Sequence, residues 1–245
     1  MKSWTRNSDH HMPTQRAFLL AIIAGVIGGV LMVAINFTIV QARQSEISDF
    51  YADLFVAHGI IDEDEFNQKL QELQVQDIVL PIATGIGGGV LVAAVYLRIG
   101  AGAFKVALAV AGAAWLALYI MPAIKYPANP DTAYNPEGDG GYSIFYAGYT
   151  AASGFAALGS AIAFSKTGRK NWYMGAAGVY IGIIGVLYYL FPAFSSDLEI
   201  VPQQLLAEWH SSMAASAAAL WFALGIIAGA LLEREEKTKE NIKDN

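Results

Sequence analysis

Cysteine is absent from the 245 residues, which removes disulfides, thiolate metal ligands and cysteine nucleophiles together. Charge is scarce as well: 15% of residues are Asp, Glu, Lys or Arg, against roughly 25% in soluble domains. It is missing altogether from six stretches, 17–41, 78–97, 106–124, 142–165, 171–196 and 209–232, whose only ionisable side chain apart from tyrosines is His210. Each is long enough to cross a hydrocarbon layer of ~30 Å at ~1.5 Å per residue. The expected fold class is all-α, a polytopic membrane helical bundle with about six transmembrane helices.

The missing intramembrane charge excludes more. Proton-coupled carriers ordinarily place an ionisable group near the midplane, and here Asn36, Thr84, Ser153, Ser160, Ser216 and tyrosines are the main polar groups. A strong midplane site for a divalent ion is therefore not expected from this chain alone: either hydrated metal passes a weakly polar pathway, or a partner or a homo-oligomer contributes ligands. No His-rich helix motif, Ser/His/Asp set or intramembrane carboxylate pair is present, so the chain offers no enzyme site. Gly85-Ile86-Gly87-Gly88-Gly89 lacks a preceding soluble strand and a Lys-Ser/Thr pair, which excludes a nucleotide loop. No nucleic-acid partner is expected.

Residues 1–16 read as a cytoplasmic tail carrying the pair His10-His11, 17–232 as the membrane domain and 233–245 as a second, charged tail. The first apolar run holds 25 residues, whereas signal-peptide cores span roughly 7–15, so it reads as a retained helix. Lys2, Arg6, Arg16, Arg98, Lys105, Lys166, Arg169, Lys170, Arg234, Lys237, Lys239 and Lys243 fall on one side of an even number of spans. Arg43, Lys69 and Lys125 alone fall on the other. The basic side is the cytoplasmic one, which puts the chain in the cell membrane as a multi-pass protein with both termini cytoplasmic.

The segment 42–77 is the one sizeable element outside the lipid. Ile47, Phe50, Leu54 and Phe55 recur at helical spacing, and His58-Gly59 reads as a C-cap. Asp62 and Glu65 look like a capping box, followed by Phe66, Leu70 and Leu73. The expectation is a short acidic helical hairpin in the first outer loop. Its stretch Leu54–Phe66 resembles the small SHOCT helical module, which implies protein–protein contact.

Glycine is abundant. Gly25/Gly29, Gly85/Gly89, Gly178/Gly182 and Gly225/Gly229 form Gly-x-x-x-Gly pairs in four spans, a pattern through which helix backbones approach closely in lipid. At an offset of 70 residues, Leu118–Ile124 and Tyr188–Phe194 both end a span with aromatics and a proline. Either duplicated helix pairs or two similar interface endings produce that likeness.

The third outer loop is the most distinctive: Pro122, Lys125, Tyr126, Pro127, Asn129, Pro130 and Asp131 follow one another within ten residues. Its prolines are expected to stop the helix and stiffen an extended exit from the membrane, holding Lys125, Asn129 and Asp131 at the rim. The segment Pro122-x-x-Lys125-Tyr126-Pro127-Ala128-Asn129-Pro130 resembles the signature of the CbtA family, proposed cobalt transporter subunits. Val201-Pro202, Leu205–His210, Leu220-Trp221 and Leu224-Gly225 are similar to that family's C-terminal region. Trp209-His210 stand where the family commonly has Phe-Arg.

The resemblance implies uptake of a divalent transition metal, cobalt above all. Cobalt would be a transported substrate with no permanently bound cofactor, and the chain would act with a small single-span, His-rich partner of the CbtB type. Imidazole and carboxylate suit such an ion, making His210, His58, Asp131 and Glu208 the candidate ligands. Glu208 and His210, two apart, point about 200° apart on a helix. The alternative reading is a non-transporting scaffold or accessory subunit that docks partners through its acidic outer loop.

Overall fold

The computed structural model describes residues 13–99, 102–130, 141–165, 171–194 and 201–243. Helix dominates, and no strand occurs among the described residues. Helix α1 (Thr14–Ile35) passes through a π-helical turn, Asn36–Val40, into α2 (Gln41–Phe55). Helix α3 spans Glu63–Ile99. Helix α4 (Ala103–Trp115) passes through a second π-helical turn, Leu116–Ile120, into α5 (Met121–Lys125). Helices α6 (Tyr142–Ser165), α7 (Trp172–Leu190) and α8 (Gln203–Lys243) complete the order. Six helices among the described residues are long and apolar enough to cross a membrane, and the fold is a polytopic all-α bundle.

Two compact units are present. The first takes in Met1–Val33, Val79–Gly112 and Ala219–Asn245. Within it glycines decide the packing. A Cβ on Gly25 would enter the carbonyl of Gly85, a Cβ on Gly85 would enter that of Gly25, and one on Gly89 would enter that of Ala21. On Gly29 it would come within 2.8 Å of Ile82 Cα. Lipid gives helices little hydrophobic reason to associate, so close backbone approach supplies the attraction. Helix α8 uses the same device against α4: Cβ atoms on Gly225 and Gly229 would lie 2.9 Å from Ala111 Cβ and from Phe104 Cα. Arg16 pairs with Glu235 at 2.9 Å, and the Tyr96 hydroxyl donates to Glu236.

The second unit takes in Ala34–Ile78 and Ala113–Ala218. The helical hairpin of the first loop lies here, and its arms are continuations of the first two long helices rather than separate short ones. Gly59, at φ 69°, makes the turn in a region that other residues enter at a cost. Asp62 Oδ1 accepts the backbone N–H of Glu65 at 2.7 Å, satisfying a donor at the start of α3. Ile47, Tyr51, Phe55, Ile61 and Phe66 pack with Val201, Leu205 and Leu206 at the beginning of α8. Complete burial of such side chains contributes roughly 1.5–3 kcal/mol each. The expected stripe needs one correction: Phe50 is exposed and Tyr51 takes the inward place, because Phe50 lies about 60° off Ile47, away from Tyr51 and Phe55.

At the third loop the helix passes Pro122, which lies inside the stretch 106–124, runs on through Lys125 and ends at Tyr126, with φ −131° and ψ 78°. The π turn resets the ladder, with Met121 N–H bonding to Leu116 O. That places Pro122 in the first turn of α5, where its missing N–H costs nothing.

Gly178 and Gly182 also depart from expectation. Nothing lies within 4 Å of a Cβ built on either, so the described chain packs nothing against that pair.

Candidate functional site

The second unit gathers the distinctive loop, the ends of α6 and α7, and the start of α8 into one aromatic and polar cluster. Tyr126 is its centre. It is 1% exposed, and its hydroxyl donates to Pro192 O at 2.8 Å. Edge-to-face contacts join it to Tyr142 at 5.7 Å and to Tyr149 at 5.8 Å between ring centroids, the geometry aromatic quadrupoles favour. The Tyr142 hydroxyl donates to Pro127 O, and Phe191 meets Tyr149 edge-on at 5.3 Å. Burial raises the Tyr126 phenol above its ordinary value, so it stays a protonated donor.

Lys125 follows the ring faces. Its Nζ lies 4.5 Å from the centre of Tyr188 and 5.7 Å from that of Tyr126, a cation–π arrangement. Pro122 and Pro130 are fully buried. Pro127 is exposed and Asn129 half-buried.

His210 reaches this loop from α8. Its Nε2 sits 2.6 Å from Ala128 O, the geometry of an N–H donating to that carbonyl, which leaves Nδ1 with the lone pair. The neighbouring Trp209 ring lies 5.4 Å from the imidazole. His58 is held in the mirror sense: Nδ1 sits 3.0 Å from Asp53 O, leaving Nε2 with the lone pair. Each histidine thus presents one ligand nitrogen backed by a carbonyl, as metal-binding imidazoles usually are.

The three candidate ligands among the described residues, His58, Glu208 and His210, are not grouped around one point. Glu208 pairs with Arg43 at 3.0 Å and accepts from Gln204 at 3.1 Å, turned away from His210 as the helical angle requires. Asp131 and His10-His11 lie outside the described residues. Among the described residues no three His, Asp or Glu side chains are grouped to hold a metal ion.

Two polar contacts beside the π turns escaped the sequence reading. Ser216 Oγ, fully buried, donates to Asn36 Oδ1 at 2.5 Å, and Asn36 opens the first π turn. Ser153 Oγ, also fully buried, donates to Ala117 O at 2.6 Å in the second and lies 3.0 Å from Tyr180 Oη. Thr38 Oγ1 donates to Ala34 O at 2.8 Å. Hydroxyls thus donate to carbonyls at both π turns, and such turns are frequent at functional sites. The polarity of Asn36 and Ser153 was a signal; their partners were not readable.

The described groups that the cluster and the hairpin offer are hydroxyl and carbonyl oxygens, two imidazoles and aromatic ring faces. Neither a curated protein nor a solved structure matches the chain. Residues 14–233 match the family described as probable cobalt transporter subunit (CbtA), and with so much of its length matched, the chain belongs to the CbtA family.

Proposed function

We propose that this chain is the polytopic subunit of an uptake permease for a divalent transition metal, cobalt, and that it acts with a small single-span, His-rich partner. The family match over residues 14–233 carries the reading. The tautomers of His58 and His210, each with one free lone pair, support brief inner-sphere contact with such an ion. Weak sites suit passage, because an ion held too tightly does not leave. Capture is assigned to the partner, which supplies the ligands that the described residues do not group. The basic side of the loops is assigned to the cytoplasm on charge bias, with the acidic hairpin outside.

The test is uptake of radiolabelled cobalt in cells without other importers, expressing this chain alone, the candidate partner alone, and both. Uptake only with both present supports the two-component permease. Unchanged background with both verified in the membrane refutes it and leaves the scaffold reading, in which the hairpin docks a partner without transport.

A further inference from the structure

In the first unit, α8 continues beyond the last uncharged residue of its span, Leu232, for another eleven residues. Helix α4 begins at Ala103 and packs its Phe104 against Gly229. A groove of about 500 Å³ opens there. Phe104 and Ala230 give it an apolar floor, and Glu233, Arg234, Lys237 and Asn241 line its polar part. It therefore sits where hydrocarbon gives way to charge.

Its electrostatics are uneven. Lys237 Nζ pairs with Glu233 at 2.8 Å, so their charges largely cancel. Arg234 is exposed and makes no ion pair with a described carboxylate. Lys105, next to Phe104, is exposed as well. A guanidinium over an apolar floor at this depth matches a phosphate joined to an acyl chain: the fork binds phosphate oxygens, and basic residues at the membrane surface attract anionic lipid. From this groove we infer that the chain holds an anionic phospholipid, its phosphate on Arg234 and its first methylenes on Phe104. Glu233 opposes it, placing a carboxylate in the same groove as Arg234.

The purified full chain in detergent is titrated with phosphatidylglycerol, phosphatidylcholine or inorganic phosphate, with bound lipid counted by native mass spectrometry. The expected result is a preference for phosphatidylglycerol over phosphatidylcholine of about fivefold, the order of one basic residue's attraction to an anionic surface. Arg234→Gln abolishes the preference, and Glu233→Gln, which removes a negative charge from the groove, enlarges it. The opposite response of the second variant separates the site from a general loss of folding. Equal retention of both lipids, an Arg234→Gln chain with undiminished preference, or a Glu233→Gln chain with a smaller one overturns the assignment. Displacement of the lipid by millimolar inorganic phosphate also overturns it, in favour of a free-anion site.

Discussion

Single residues separate the roles that one motif suggests. Gly85 and Gly178 both begin Gly-x-x-x-Gly pairs, yet a Cβ would strike backbone at the first and meet nothing at the second. Gly85→Ala should destabilise by about 1–3 kcal/mol, the usual cost of overpacking. Gly178→Ala should be neutral or stabilise by up to about 1 kcal/mol through the helix preference of alanine. Thermal unfolding of the two variants in one detergent checks the contrast, and equal losses would refute it. His210 allows a finer separation of donor from ligand. His210→Ala leaves Ala128 O without its donor and should cost about 1–3 kcal/mol. In His210→Gln the amide N–H can replace the donor but offers no imidazole lone pair. It should therefore keep most of the stability while metal uptake falls by about tenfold or more. Wild-type uptake in His210→Gln would confine this residue to positioning the loop.

At the scale of elements, the hairpin depends on a cap, a glycine turn and a small core. Tyr51 is completely buried in that core, and Tyr51→Ala should cost about 3–5 kcal/mol locally, read as faster proteolysis between residues 47 and 66. Asp62→Ala should lower amide protection at Glu65 by about fivefold, whereas Asp62→Asn, which keeps a side-chain acceptor, should not. These features were legible because spacing and cap residues act locally: Gly59 and Asp62 announce the turn and Ile47 and Phe55 the buried face, while Phe50 was placed inward because it is apolar and near the stripe's edge. The π turns were not legible. Asn36–Val40 and Leu116–Ile120 have compositions that an α-helix accommodates equally well, and the contacts that distant residues make there, Ser216 with the Asn36 side chain and Ser153 with Ala117 O, are not written in the local sequence. The tolerance of Pro122 inside the helix follows from the second π turn, which precedes it.

For the whole molecule, six uncharged stretches sufficed to read the class, because hydrocarbon penalises charge whatever the packing. The clustering of Tyr126, Tyr142, Tyr149 and His210 was hidden, because span-to-span adjacency is not encoded in hydropathy. Orientation is directly testable, and the absence of cysteine makes it simple. On intact cells a membrane-impermeant maleimide should label Asp64→Cys at once and Lys243→Cys only after permeabilisation; the reverse pattern would invert the proposed topology. The Tyr126 cluster also constrains biosynthesis. The acceptor of the Tyr126 hydroxyl lies 66 residues further along the chain, and the donor to Ala128 lies 82 further. A nascent chain that has made its third span therefore carries the distinctive loop unclosed until the fifth and sixth spans arrive. Completion of that loop is one of the last events of membrane insertion, and a chain cut short before residue 210 displays an unfinished collar to the quality-control proteases.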